Sequence, residues 1–164
     1  MLVGAQRHST AAAGRLETGF SILQLLAAIV ILGVLSVIAI PGFQGYLERA
    51  RQTQALAELG EIEIAISEFS TNQAGQLPAS LAAAGVTGAV DPWGNNWVYV
   101  NLTLGGSPRT DQGGVPVNTT YDLYSAGPDG STALSLTAGD SEDDIIRAND
   151  GGFIGMVEDY TRLD

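Results

Sequence analysis

The chain has 164 residues and a net charge of −11, from 18 acidic residues against seven arginines, with no lysine, no cysteine and one histidine. That length holds one domain of ordinary size plus an additional segment. So acidic a chain repels phosphate backbones, which excludes nucleic acid as a partner, and its inventory excludes disulfides, thiolate metal sites, a multi-histidine zinc site and a Ser-His-Asp triad.

The first 19 residues form a polar leader that holds Arg7, His8 and Arg15 against Glu17. Its weak positive bias keeps the N-terminus cytoplasmic and sends the remainder across a membrane. From Glu17 to Glu48 no formally charged residue intervenes. Residues 20–40 are an apolar run that as a helix is about 30 Å long, enough to cross a bilayer. A conventional secretory signal has an apolar core of roughly 7–15 residues and a small-x-small cleavage site. This run is longer and is followed by Ile40-Pro41-Gly42-Phe43, so a retained anchor is the better fit.

Pro41 removes a backbone donor and predicts a kink, after which the helix resumes. Leu56, Leu59, Ile62, Ile66 and Phe69 follow at spacings of three and four and form one apolar face, with Glu48, Glu58, Glu61, Glu63 and Glu68 around it. The helix is expected to end within residues 72–75, with Pro78 as a stop and a short helical or irregular piece over 79–84. Asp91-Pro92-Trp93-Gly94-Asn95 predicts a tight turn that presents its tryptophan before a strand. The strand is read over 96–104, a hairpin loop over 105–117, and the partner strand over 121–125. Residues 127–130 (GPDG) make a further turn. An acidic run follows, with Asp140, Glu142, Asp143 and Asp144 close together and Arg147 the nearest cation in the sequence. Hard oxygen ligands on a flexible loop suit Ca²⁺, although the EF-hand spacing is absent and composition alone favours a solvated acidic loop. The tail, residues 147–164, holds a turn at Asn149-Asp150-Gly151-Gly152 and a short edge strand at 153–157, without a functional assignment.

Gly19-Phe20-Ser21-Ile22-Leu23, the aliphatic run and Ile38-Ala39-Ile40-Pro41 closely resemble the class III signal of type IV pilins and type II secretion pseudopilins. The order DPWGN (91–95), aromatic strand, YDLYSAGPDG (121–130) and an acidic DDI (143–145) is similar to the major pseudopilins of type II secretion systems. Together the resemblance covers residues 19–146. It implies an α+β fold: a long N-terminal helix, membrane-embedded in its first half and kinked at Pro41, packed on a small antiparallel sheet with a C-terminal calcium loop. The implied organisation is a leader over 1–19, a transmembrane and assembly helix over 20–40 and a periplasmic domain over 41–164.

The resemblance further implies cleavage by a prepilin peptidase between Gly19 and Phe20 and N-methylation of Phe20. The retained helix would assemble, through Phe20, Gln24 and Pro41, into a filament with further copies and other pseudopilins on an inner-membrane secretion platform. The expected location is the inner membrane, with the C-terminal domain in the periplasm, and the expected role is structural, without enzyme activity. A structural Ca²⁺ would be held by Asp129, Asp143, Asp144 and the carbonyl of Ala126, with Asp140 as a further candidate ligand. The chain departs from the family pattern in three places. Glu17-Thr18 precedes the glycine where a basic residue is usual; Gln24 stands where the family has Glu; and the loop between Asp129 and Asp143 is longer than usual. Gln24 supplies no charge for pairing with a neighbour's N-terminus, which keeps open a minor, tip or type IV pilus subunit. A signal-anchored periplasmic calcium-binding module is the reading from another class.

Overall fold

A computed structural model describes residues 19–162, without the side chains of Ile38, Ala39, Pro41 and Gly42. The chain divides into two compact units, with the boundary between Phe43 and Gln44. Helix α1 spans Ile22–Asn72. The expected kink at Pro41, like the leader, falls outside what the described residues report. In the first unit the apolar side chains from Phe20 to Val37 are exposed, with Phe20 at 86% and Val37 at 73%. No helix among the described residues is long and apolar enough to cross a membrane; uninterrupted description of the apolar run ends at Val37.

The N-terminus of α1 is capped from within. The backbone N–H of Leu23 donates to Ser21 Oγ at 3.3 Å, and Gln24 Oε1 accepts from the backbone N–H of Ser21 at 3.1 Å. Ser-x-x-Gln is a capping box, in which each side chain satisfies an amide that the first helical turn leaves without a partner. Glutamine performs this task without charge.

The second unit is a four-stranded antiparallel sheet in the order β1-β2-β3-β4, made of β1 (Val98–Asn101), β2 (Tyr121–Ser125), β3 (Ile145–Ala148) and β4 (Phe153–Met156). A five-residue helix, α2 (Val157–Thr161), closes the described chain. In the sheet Val98 pairs with Tyr124, Tyr124 with Ile146, and Ile146 with Gly155. Side chains on β2 alternate between two faces, and both faces are covered. On one, Ala55, Leu59, Ile62 and Ile66 of α1 pack with Trp97, Tyr121, Leu123 and Ile145. On the other, Tyr124, Ile146 and Ala148 pack with Val117, Leu136, Val157 and Tyr160.

The expected strand over 96–104 is shorter than read. Asn101 Oδ1 accepts from the backbone N–H of Thr103 at 3.0 Å and caps a 3-10 turn, Leu102–Leu104, that Gly105 ends with φ of 89°. The expected short piece over 79–84 is a run of turns. Strand β3 follows directly on the acidic loop, where the sequence shows only a short apolar end, and the tail supplies both β4 and part of the second core.

Leu59 is fully buried whereas Ile64, on the same helix, is 61% exposed. Leu59→Ala is expected to cost about 2–5 kcal/mol in urea unfolding of the detergent-solubilised chain, and Ile64→Ala to stay within about 0.5 kcal/mol. Equal losses would contradict the packing of this helix face.

Candidate functional site

Three sequence motifs converge beside the end of β2. Asp91 organises its own turn, accepting at Oδ1 from the backbone N–H groups of Trp93 (3.0 Å) and Asn95 (2.8 Å). Its other oxygen accepts from Ser125 Oγ at 2.5 Å, which ties the turn to the last residue of β2. Trp93 Nε1 donates to Glu48 on α1 at 3.0 Å. Asn95 Nδ2 donates to the carbonyl of Gly127 at 2.8 Å, joining the turn at 91–95 to the turn at 127–130. Gly127 has φ of 63°, and a Cβ there would run into the carbonyl of Asp143. Only glycine lets the acidic loop approach so closely.

The five candidate metal ligands do not share one orientation. Asp129 is exposed; its Oδ1 accepts from the backbone N–H of Ser131 at 2.7 Å, and its own N–H donates to Asp143 Oδ2 at 3.3 Å. Asp143 is half-buried, Asp140 is exposed in the 3-10 turn Gly139–Ser141, and Ala126 is buried next to Ser125. Asp144 turns inward. It is fully buried and accepts at Oδ2 from Thr132 Oγ1 at 2.7 Å and from Arg109 Nη2 at 2.5 Å. Among the described residues no three His, Cys, Asp or Glu side chains converge in a group that could hold a metal ion. A divalent cation placed on Asp144 would also meet the Arg109 guanidinium. As arranged, this donor set does not fit a calcium cage that includes Asp144.

Arg109 was not among the residues singled out from the sequence, and Arg147, the nearest cation in the sequence, goes elsewhere. Arg147 donates to Glu63 of α1 at 2.7 Å, and its guanidinium lies 4.0 Å from the centre of the Tyr121 ring. Arg109 lies 4.4 Å from the centre of the Tyr124 ring. Its backbone N–H donates to Asp122 Oδ2 at 2.7 Å. Burial pushes the Asp144 carboxyl up to about 6, against the lowering effect of Thr132 and Arg109, which leaves it ionised at neutral pH. Among the described residues, Asp144 Oδ1 and Arg109 Nε and Nη1 are buried without a hydrogen-bond partner. The pair therefore fixes position more than it adds net stability.

A second carboxylate fastens the start of β2. Burial acts to raise the Asp150 carboxyl, but hydrogen bonds from Thr119 and Thr120 outweigh it and lower the pKa to about 2. Asp150 Oδ2 accepts from Thr119 Oγ1 at 2.6 Å, and Oδ1 from the backbone N–H of Thr119 at 3.0 Å and Thr120 Oγ1 at 2.9 Å.

The cavities are open grooves. One of about 1080 Å³ is lined by Glu63, Ile64, Thr120, Tyr121 and Arg147, whose charged pair is already satisfied.

Asp150 generates a pH prediction. Its folded pKa is depressed, so its contribution is complete above the unfolded value of about 4 and is lost as pH falls through about 2. Melting temperatures between those limits should fall less steeply for Asp150→Ala than for the unaltered chain. Parallel curves would remove Asp150 from the acid response.

Three relatives resemble the chain over most of its length. The chain is 31% identical over 149 residues to type II secretion system core protein G of Escherichia coli (strain K12), covering 79% of this chain and 89% of that protein. It is 32% identical over 127 residues to fimbrial protein EcpC of Eikenella corrodens, covering 77% of this chain and 78% of that one. Core protein G of Pectobacterium carotovorum subsp. carotovorum is 26% identical over 162 residues, covering 87% of this chain and 91% of the relative. No family model and no solved structure matches the chain.

Proposed function

The chain belongs to the pseudopilin and pilin-like family that includes type II secretion system core protein G, and on that footing we propose that it is a structural subunit of a type II secretion pseudopilus. The observation that carries the proposal is the similarity to core protein G along most of both chains. The exposed apolar side chains of residues 20–37 support it. Exposed leucines, isoleucines and valines in such number are costly in water, so they call for lipid or further copies of the same helix.

In the full proposal a prepilin peptidase cuts between Gly19 and Phe20, and Phe20 is N-methylated. Residues 20–40 then hold the subunit in the inner membrane, with the α+β domain in the periplasm. On the assembly platform this helix joins further copies and other pseudopilins, and the growing filament supports export of folded proteins across the outer membrane. The subunit acts by packing, and enzyme activity has no place in this mechanism. Gln24 enters as an uncharged member of the capping box with Ser21, a role that fixes the first turn of the helix without a carboxylate. A type IV pilus subunit is the second reading, favoured by the similarity to EcpC. It is the weaker of the two, because the core protein G relatives are covered over a larger share of their length.

Mass spectrometry of the protein extracted from membranes tests the proposal at its N-terminus. The expected species begins at Phe20 and carries one methyl group on its α-amine. An intact leader with an unmodified Phe20 would overturn assembly by the prepilin route and favour a plain anchor.

A further inference from the structure

We propose that the cation of the acidic loop is Arg109, an internal guanidinium that fastens the loop where a bound divalent ion would otherwise be needed. This holds whether or not the chain assembles into a filament.

The four carboxylates of residues 140–144 need a nearby positive charge if the loop is to lie against the sheet. Arg109 brings that charge from residues 105–117, and it is the only basic residue between Arg51 and Arg147. Its approach is fixed on every side. The backbone N–H is held by Asp122 of β2, and the carbonyl accepts from the N–H of Val117 at 2.9 Å. Next to it, Thr110 donates its N–H to the carbonyl of Leu134 at 2.8 Å and accepts from the N–H of Leu136 at 2.9 Å. Residues 109–110 thus run alongside the lengthened loop itself. The guanidinium then crosses the Tyr124 ring, a favourable position for a desolvated cation, and ends on Asp144 at 2.5 Å with both side chains buried.

The pairing accounts for the orientations seen in the loop. Asp144, with Arg109 as partner, points inward, whereas Asp140 and Glu142 remain in solvent, where repulsion is screened. Asp144 also ties the loop to the tail: its carbonyl accepts from the N–H of Val157 at 3.0 Å. One residue therefore joins the acidic loop, the 105–117 loop and α2, and the positive charge for that junction is covalently part of the chain. Such a junction needs no ion from the medium to close.

The test uses the full chain in detergent at neutral pH. Thermal unfolding is recorded in EGTA and in millimolar CaCl₂ for the unaltered protein, Arg109→Met and the double variant Arg109→Met/Asp144→Leu, alongside calorimetric titration with CaCl₂. The expected results are one melting temperature for the unaltered protein in both media and no stoichiometric calcium binding. Arg109→Met should melt several degrees lower, because it leaves Asp144 buried without its partner. The double variant should recover most of that loss, since two apolar groups replace the pair together. A melting temperature of the unaltered protein that drops in EGTA, or one-to-one calcium binding, would overturn the proposal. Unchanged melting of Arg109→Met would do the same. If Arg109→Met fails to fold, the EGTA comparison and the titration on the unaltered chain still decide.

Discussion

Strand β2 is buried along its whole length, yet it carries Asp122 and Ser125, and a guanidinium lies over each of its two tyrosines. A charge held that far from water must find its counter-charge inside the protein. Arg147 finds Glu63 on α1, and Arg109 finds Asp144 on the acidic loop. Tyr121 and Tyr124 belong to opposite faces of the strand, so one pairing secures the helix and the other secures the loop. Most of the polar architecture follows from this requirement. Asn118 accepts from Arg147 and donates to Asp122, while Asp150 clamps the two residues that lead into the strand.

The two units of the chain stand in contrast. From Gln44 onward, most buried apolar side chains are gathered into two clusters, one on each side of the sheet, and α2 contributes Val157 and Tyr160 to the second. In the unit before it, apolar side chains are left in the open. A domain that closes its own core and supplies its own internal cations can keep its shape while the exposed apolar part of α1 packs against further copies. That division suits a filament subunit, whose helix and surface domain meet different surroundings.

Much of the fold was legible because the signals were local. The apolar spacing of Leu59, Ile62 and Ile66 gave the buried face of α1, and Tyr121–Ser125 was bounded by turn residues on both sides. The length of β1 was overestimated because residues 102–104 look extended by propensity, while the side chain of Asn101 bends them into a 3-10 turn. Strand β3 was hidden by the acidic residues that precede it. The partner of Asp144 could not be read from spacing, since Arg109 stands 35 residues away. One signal pointed to it. A solitary arginine in a long stretch without other cations, within a chain of net charge −11, has many carboxylates competing for it. Which of them wins is decided by burial, a property of the folded state.

Two arginine pairings that join helix, strand and loop make these elements one cooperative unit, which must open together. Hydrogen–deuterium exchange read by mass spectrometry, on the full chain in detergent with EGTA present, addresses that cooperativity directly. Amides of residues 121–125, 141–147 and the buried face of α1 should exchange together in the slowest class, at the rate of global unfolding. Fast exchange over 141–147 while 121–125 stays protected would contradict it, because the loop would then open independently of the strand that its arginine is meant to hold.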